Sequence, residues 1–246
     1  MKVVCLIQAR VGSTRLPGKI LKNVCGKTIL NHEIDRLKKC KEIDEIVVAT
    51  TNNTNDDEVV NHVKNLSVKY FRGSENDVLS RFYHAAKEEN ADIVVRVTSD
   101  CPCIDFEILD DVVKYFKEAN KDRNIDYVSN TLRRTYPRGY DVEVFTFKSL
   151  EKAYINSNKA YEREHVTPYI YDDKNGFLKE GFEFEENYSK YRVTLDTIED
   201  YIVIKNIFEN LYFKNKYFKL KDVVNYLDNN LDVVNINKNI EQKKLY

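Results

Sequence analysis

Short apolar runs alternate with segments of helical periodicity along the first half of the chain. The runs are rich in β-branched residues and predict strands at residues 2–8, 45–50, 92–97 and, more weakly, 67–71. Apolar residues recur about every 3.6 positions at 30–37 and 109–116, and another helix is expected at 76–89. This order predicts an α/β fold with one doubly wound, mixed and mostly parallel sheet, and ligand sites where the strands end.

The pattern changes after Asp126. Strands are expected at residues 126–130 and 142–147, on either side of a basic loop at 132–140, and a late strand is expected at 191–195. Helices are predicted at 150–156, from Thr197 onward and at 220–227. Thr197, with Asp200 three residues later, resembles a capping box. No repeat or Gly/Ser linker interrupts the pattern, which favours a single domain over residues 1–246.

The composition excludes several classes of protein. Hydrophobic residues make up 42% and charged residues 32% of the 246 positions, which is ordinary for a globular protein. No apolar run approaches the roughly 18 residues of a membrane helix, and the N-terminus lacks a signal-peptide cleavage site. The five cysteines, at irregular spacings, argue against a disulfide framework. Cys101 and Cys103 have no second pair to complete a zinc site, so they are expected to be structural thiols. A cytoplasmic protein without membrane contact is predicted.

Charge is balanced overall but uneven along the chain. The net charge of −1 argues against a broad nucleic-acid-binding surface. The first acidic residue is Glu33, and before it come six cations: Lys2, Arg10, Arg15, Lys19, Lys22 and Lys27. This asymmetry predicts a local anion site near the N-terminus.

The loop that follows the first predicted strand, residues 8–19, combines three cations with two glycines. Backbone N–H groups near glycines and cationic side chains are what a polyphosphate needs. The loop has neither the Gly-x-Gly-x-x-Gly spacing of a dinucleotide site nor a Walker loop, since five residues separate Gly12 from Gly18. Ile20 follows Lys19 and offers no oxygen to Mg²⁺, so carboxylates elsewhere would have to hold a metal ion. A solvated basic turn is the alternative.

Two aspartates each follow a predicted strand. Asp100 comes after residues 92–97 and Asp196 after residues 191–195, so both are expected at the sheet edge where the basic loop lies. Mg²⁺ is typically held by one or two carboxylates, with water and substrate phosphate completing the octahedron. As purely structural alternatives, Asp100 could form an Asx turn and Asp196 could favour the start of its helix.

Six segments resemble the SpsF-like branch of the acylneuraminate and Kdo cytidylyltransferases. They are IQARVGSTRLPGK at 7–19, GSENDVLSRF at 73–82, RVTSDCP at 96–102, YPRGYDVEVF at 136–145, EREHVTPY at 162–169 and YRVTLDTIED at 191–200. The resemblance implies a glycosyltransferase-A-like fold, Mg²⁺ dependence, and transfer of CMP from CTP to a sugar or sugar-acid acceptor for surface polysaccharide or glycan synthesis. Ser99 replaces the usual glycine, and Arg138 stands where an acid is common. Related enzymes are often dimers, so a homodimer is expected.

The resemblance also implies roles for individual residues. Residues 1–125 would form the nucleotide-binding half, 126–212 would carry the acceptor side and the second metal ligand, and 213–246 would be a C-terminal helix and tail. The implied nucleotide-binding residues are Ala9, Arg10, Gly12, Ser13, Arg15, Lys19, Ala49, Thr50, Ser74, Asp77 and Arg81. The implied catalytic residues are Arg10, Arg15, Lys19 and Asp100, and the implied metal ligands are Asp100 and Asp196.

Acceptor-binding residues are expected in the second half of the chain. The predicted set is Arg133, Arg138, Asp141, Glu143 and His165. The basic cluster that includes Arg133 and Arg138 suits an acceptor carboxylate or phosphate, although a solvated loop would have the same composition. Asp141 and Glu143 could bind hydroxyl groups or be exposed. His165 could be a base or a helix residue that pairs with its neighbours.

Two other functions remain open at this point. A glycosyltransferase of the same fold would consume a nucleotide-sugar, but it would usually carry an Asp-x-Asp metal motif, which residues 99–103 do not form. A non-catalytic nucleotide-binding module would bind the nucleotide without turnover.

Overall fold

Nine strands lie within residues 1–242, the part of the chain that this computed structural model describes. They are β1 (Val3–Gln8), β2 (Asn23–Val24), β3 (Lys27–Thr28), β4 (Glu45–Thr51), β5 (Lys69–Gly73), β6 (Ile93–Thr98), β7 (Tyr127–Ser129), β8 (Glu143–Thr146) and β9 (Lys179–Gly181). Seven of them form one sheet in the order β5-β4-β1-β6-β8-β7-β9, and β2 and β3 form a separate hairpin. β1, β4, β5 and β6 run parallel, whereas β8 is antiparallel to β6 and β7. The predicted mixed, mostly parallel sheet is confirmed.

Ten α-helices lie in the same residues. They are α1 (Ile29–Leu37), α2 (Asp57–Asn65), α3 (Val78–Glu88), α4 (Phe106–Arg123), α5 (Phe147–Asn156), α6 (Ala160–His165), α7 (Pro168–Tyr171), α8 (Ile198–Leu211), α9 (Leu220–Asp228) and α10 (Leu231–Asn237). None of the helices in residues 1–242 is long and apolar enough to cross a membrane.

Different helices cover the two faces of the sheet. Alternate residues of a strand point to opposite faces, so Val3, Cys5 and Ile7 of β1 pack with α1, α2 and α4, while Val4 and Leu6 pack with α3 and α5. All five side chains are fully buried, and burial of each larger aliphatic side chain contributes roughly 1.5–3 kcal/mol. The sheet is therefore doubly wound, and β1 and β6 end side by side, with Gln8 paired to Thr98.

The chain after the sheet forms a third apolar cluster. Val193 and Leu195 are buried against Ile204 and Phe208 of α8, and α9 and α10 close the same cluster. The capping box predicted at the start of α8 is confirmed, since the Thr197 hydroxyl accepts the Asp200 N–H and the Asp200 carboxylate accepts the Thr197 N–H. The predicted helix at 220–227 is confirmed as α9, and α10 was not predicted. Residues 243–246 of the predicted tail lie outside the described residues.

The late strand predicted at 191–195 is wrong. The segment is joined to residue 138 by an isolated bridge between Arg138 and Arg192, and it belongs to none of the strands in residues 1–242. Tyr191, Val193 and Leu195 alternate as strand residues do, but they pack on the C-terminal helices instead of extending the sheet. The contact is tight, because a Cβ added to Gly139 (φ 106°) would lie 2.7 Å from the backbone of Val193.

Candidate active site

The basic loop lines a cavity of about 250 Å³ at the ends of β1 and β6. The residues that line this loop cavity are Gln8, Arg10, Gly12, Ser13, Thr14, Arg15, Lys19, Thr98, Ser99, Asp100 and Asp196. The Val11 N–H donates to Asp56 Oδ1 at 2.7 Å, and the Gly18 N–H donates to the Val11 carbonyl at 3.2 Å. Gly18 adopts a left-handed conformation (φ 65°) before a 3₁₀ turn at Lys19–Leu21. These bonds fold the loop back over the strand ends.

Lys19 joins the two predicted metal ligands. Its Nζ lies 2.8 Å from Asp100 Oδ2 and 2.9 Å from Asp196 Oδ1. Asp100 lies in the turn after β6, and the hydroxyl of Thr98, the last residue of that strand, donates to its Oδ1 at 2.7 Å. The Leu195 N–H donates to the Asp100 carbonyl at 2.8 Å, which brings Asp196 beside Asp100. Arg15 completes the cluster, with Nη2 at 3.1 Å from Asp196 Oδ2.

The opposite charges in this cluster shift the pKa values of Lys19 and Asp100 toward their charged forms. Burial alone would lower the pKa of Lys19, but the nearby Asp100 and Asp196 carboxylates raise it above its ordinary value. Burial alone would raise the pKa of Asp100, but the Lys19 charge and hydrogen bonds from Lys19, Thr98 and Cys101 hold it below its ordinary value. The Lys19 ammonium and the Asp100 carboxylate therefore each favour the charged form of the other.

A second cavity, of about 270 Å³, adjoins the loop cavity at Thr98. This arginine cavity is lined by Arg96, Val97, Thr98, Thr131, Arg134, Arg138, Asp141, Glu143, His165, Thr167, Tyr171 and Gln242. Arg134 and Asp141 form a bidentate pair at 2.6 and 2.9 Å. Glu143 accepts hydrogen bonds from Tyr127 and Thr167, both at 2.6 Å, and pairs with Arg96. These two carboxylates are therefore already neutralised.

Arg138 differs from the other cations of the arginine cavity. Among residues 1–242, no carboxylate lies within ion-pair distance of its guanidinium. Burial lowers the pKa of Arg138, and the positive charges of Arg134 and Arg192 lower it further, although the Asp141 carboxylate opposes them. An anion would relieve this crowding of like charge. Arg133, in contrast, is 80% exposed, pairs with Glu183 and is not among the lining residues.

A third cavity, of about 330 Å³, lies between α3 and α6 and meets the loop cavity at Gln8 and Arg10. This helix cavity is lined by Gln8, Arg10, Glu75, Asn76, Val78, Ala160, Arg163, Glu164 and His165. It also shares His165 with the arginine cavity, so the three cavities are neighbours in one groove region around the ends of β1 and β6.

A sequence model of the cytidylyltransferases matches residues 4–243. This chain belongs to the cytidylyltransferase family. It is similar to SpsF of Bacillus subtilis, a spore coat polysaccharide biosynthesis protein, with 32% identity over 214 residues that cover 84% of this chain and 86% of that one.

Solved structures agree with this assignment. A cytidylyltransferase from Leptospira borgpetersenii is 40% identical, covers 99% of this chain and 100% of its own, and superposes with a TM-score of 0.90. A CMP-2-keto-3-deoxy-manno-octonic acid synthetase complexed with CTP superposes with a TM-score of 0.64 over 85% of this chain and 99% of its own; at 16% identity it supports the fold alone. The predicted family is thus confirmed, and the protein is a CTP-dependent nucleotidyltransferase.

The structure of this cytidylyltransferase brings together the predicted residues of the loop. Arg10, Gly12, Ser13, Arg15, Lys19, Asp100 and Asp196 all line the loop cavity. The acceptor-side predictions Arg138, Asp141, Glu143 and His165 share the arginine cavity.

Three other residues predicted to bind the nucleotide make contacts at the start of α3. Asp77 caps α3 by accepting the Ser80 N–H at 2.9 Å and pairs with Arg163. Ser74 Oγ accepts the Asp77 N–H at 3.0 Å, and the buried Arg81 donates to the Ser74 carbonyl at 2.8 Å.

Three more residues predicted to bind the nucleotide lie buried at or next to the ends of β1 and β4. Ala9, Ala49 and Thr50 are buried, and the Ala9 N–H donates to the Ala49 carbonyl at 3.2 Å.

Several site residues were not predicted from the sequence. Gln8, Thr98, Asn76 and Arg163 line the groove, and Asp56 anchors the loop. Gln8 and Thr98 could have been found, because each is the last polar residue of a buried strand. Asp56 and Arg163 carried no such signal, since their roles depend on tertiary contacts.

The residues around Lys19 fit a Mg²⁺ ion. Among residues 1–242, no group of three or more His, Cys, Asp or Glu side chains is arranged to hold a metal ion. Asp100 and Asp196 already hold one cation between them, the Lys19 ammonium. Two carboxylates completed by water and phosphate oxygens are a typical donor set for Mg²⁺, so substrate oxygens would be required to complete the site.

Proposed function

We propose that this cytidylyltransferase transfers CMP from CTP to a sugar or sugar-acid acceptor, releases pyrophosphate and uses Mg²⁺. The observation that carries the proposal is the position of Lys19 between Asp100 and Asp196, beside a loop with two further cations. This arrangement pairs a cationic surface for phosphates with a carboxylate pair for a metal ion.

The loop would hold the triphosphate by charge and hydrogen bonds. Arg15 and Lys19 would exchange their contacts with Asp196 for the β- and γ-phosphates of CTP, and Arg10, Gly12 and Ser13 line the same cavity. Asp100 and Asp196 would hold Mg²⁺, which would supply positive charge to offset the negative charge of the phosphates.

The reaction would be an in-line displacement. An acceptor hydroxyl oxygen bonds to the α-phosphorus and loses its proton to water, while the bond from that phosphorus to the oxygen that bridges it to the β-phosphate breaks and pyrophosphate leaves. Arg15 and Lys19 neutralise the charge that develops on the leaving pyrophosphate. Catalysis is therefore mostly positioning plus electrostatic stabilisation, and needs no side-chain nucleophile.

The arginine cavity would hold the acceptor. It meets the loop cavity at Thr98, so an acceptor there lies next to the α-phosphate of a nucleotide in the loop cavity. Arg138 has no carboxylate partner among the described residues and would bind an acceptor carboxylate or phosphate. Relatives named as 3-deoxy-manno-octulosonate cytidylyltransferases support an acid acceptor; the one from Hydrogenovibrio crunogenus is 28% identical over 72% of this chain and 63% of its own.

Pyrophosphate release tests this function. Each of CTP, ATP, GTP and UTP is incubated with nonulosonic acids, Kdo, sugar phosphates and phosphonates in turn, with and without Mg²⁺. The proposal predicts Mg²⁺-dependent release from CTP with one class of anionic acceptor. Release from another triphosphate in preference to CTP, or no release with any of these acceptors, would contradict it.

A further inference from the structure

The Arg192 guanidinium lies beside Asp196, and each of its three nitrogens donates a hydrogen bond. Arg192 Nε donates to Asp200 Oδ1 at 2.8 Å, and Nη2 donates to Asp200 Oδ2 and to Asp196 Oδ2, both at 3.0 Å. Its Nη1 donates to Gln242 Oε1 at 2.8 Å. The side chain is only 8% exposed, so its orientation is fixed by these partners.

Asp200 is the anchor of this arrangement. It is fully buried and accepts hydrogen bonds from the N–H groups of Asp196 and Thr197, at 2.9 and 3.1 Å, in addition to Arg192. Asn237 of α10 donates to Asp200 at 2.9 Å and to the Arg192 carbonyl at 3.0 Å. The C-terminal helix therefore fixes both partners of the ion pair.

Asp196 receives three cations, and they differ in mobility. Lys19 contacts Oδ1, while Arg15 and Arg192 contact Oδ2. Lys19 and Arg15 belong to the loop and would leave Asp196 when they bind phosphate. Arg192 is held by Asp200 and remains, so it alone would keep the Asp196 carboxylate directed into the loop cavity.

The same guanidinium reaches the acceptor side. Gln242, which accepts from Arg192, also lines the arginine cavity. The backbone of Arg192 forms a bridge with Arg138, whose side chain lines that cavity as well. Arg192 therefore links the lining of the arginine cavity to the Asp196 carboxylate.

We propose that Arg192 is a positioning residue that directs Asp196 toward the metal ion, and that residues 237–242 of the C-terminal segment hold it in place from the acceptor side. This inference rests on the proposed function, because it needs Asp196 to be a metal ligand. Partners that orient metal ligands typically change metal affinity by 10–100-fold when they are removed.

Binding of Mn²⁺ in the presence of CTP, without acceptor, tests this role. The titration is followed by electron paramagnetic resonance of free Mn²⁺ for the full chain and for Arg192→Lys, Arg192→Met and Gln242→Ala, with Asp196→Asn as the reference. Arg192→Lys keeps the charge beside Asp200 but cannot donate to Asp196, Asp200 and Gln242 together. We expect it to bind Mn²⁺ about 10-fold more weakly while it unfolds near the wild-type temperature, and we expect a smaller loss of affinity for Gln242→Ala.

The control is Val233→Ala, which removes buried methyl groups from α10 but none of the hydrogen bonds of Arg192. It should lower stability and leave Mn²⁺ affinity unchanged. If Asp196→Asn weakens Mn²⁺ binding but Arg192→Lys and Gln242→Ala do not, the positioning role is wrong and the proposed function stands. If Asp196→Asn itself has no effect, the metal site is wrong and both proposals fall.

Discussion

Lys19 Nζ lies 2.8 Å from Asp100 Oδ2, so the loop that would bind phosphate is ion-paired to a residue that would bind the metal. A second contact, at 2.9 Å to Asp196, places the ammonium between the two carboxylates. A metal ion can approach these oxygens only when the ammonium leaves, and a triphosphate is the partner that would draw it away. Metal and nucleotide should therefore bind together.

This exchange predicts how Lys19→Met changes metal binding. Wild-type protein should bind Mn²⁺ weakly without nucleotide and much more tightly with CTP. Lys19→Met removes the competing ammonium, so its affinity for Mn²⁺ alone should rise at least about 10-fold, in line with the size of effects around metal ligands. Isothermal titration calorimetry with and without CTP measures both affinities. Equal Mn²⁺ affinity of the two proteins without CTP would refute the exchange.

The arginine cavity predicts that substitution of Arg138 weakens acceptor binding and that substitution of Arg133 does not. Arg138→Ala should raise the KM for an anionic acceptor at least about 10-fold, because a charge-assisted hydrogen bond worth about 1.5–3 kcal/mol is lost. The KM for CTP should not change. Arg133→Ala is the matched control, since Arg133 is exposed and does not line the cavity. Steady-state kinetics on both variants measure these KM values. If the KM for the acceptor is the same in Arg138→Ala and Arg133→Ala, Arg138 does not bind the acceptor.

Glu33 predicts a pH dependence of stability. This residue of α1 is fully buried, and burial, with a smaller effect of Asp100, raises its pKa well above the ordinary value of 4.5. The folded state therefore holds a proton that the unfolded state releases, so this group makes the protein less stable as the pH rises from 4.5 toward the folded pKa.

Glu33→Gln should remove that dependence. The variant should be more stable than wild type at about pH 8, and the gain should shrink at about pH 5. Urea unfolding at the two pH values provides the free energies. A gain that is larger at the lower pH would mean that Glu33 is ionised in the folded protein.

The central sheet and the loop were predictable because local patterns specify them. The buried runs of β1, β4 and β6 are apolar on both faces, as strands between two helical layers must be. The loop after β1 was located by its charges and glycines. Asp100 and Asp196 were expected to converge, and the structure places both against Lys19.

The segment before Asp196 shows where sequence reasoning failed. Alternation at Tyr191, Val193 and Leu195 is the same for a sheet strand and for an extended segment packed on helices, and only tertiary structure decides between them. In the motif at 73–82, the Asp77 side chain caps α3 while Asn76 lines the helix cavity, and the nucleotide-binding role of Asp77 stays a prediction. Side-chain direction was not readable from the motif.

The most direct test of the account is single-turnover CMP transfer by Asp100→Asn and Asp196→Asn beside wild type, with CTP binding measured separately. Each variant should lose at least about 100-fold in the rate of transfer, as expected when a charged group that stabilises the transition state is removed, while the loop cations still bind CTP. Transfer at the wild-type rate by either variant would contradict the assignment of these two aspartates to the metal ion.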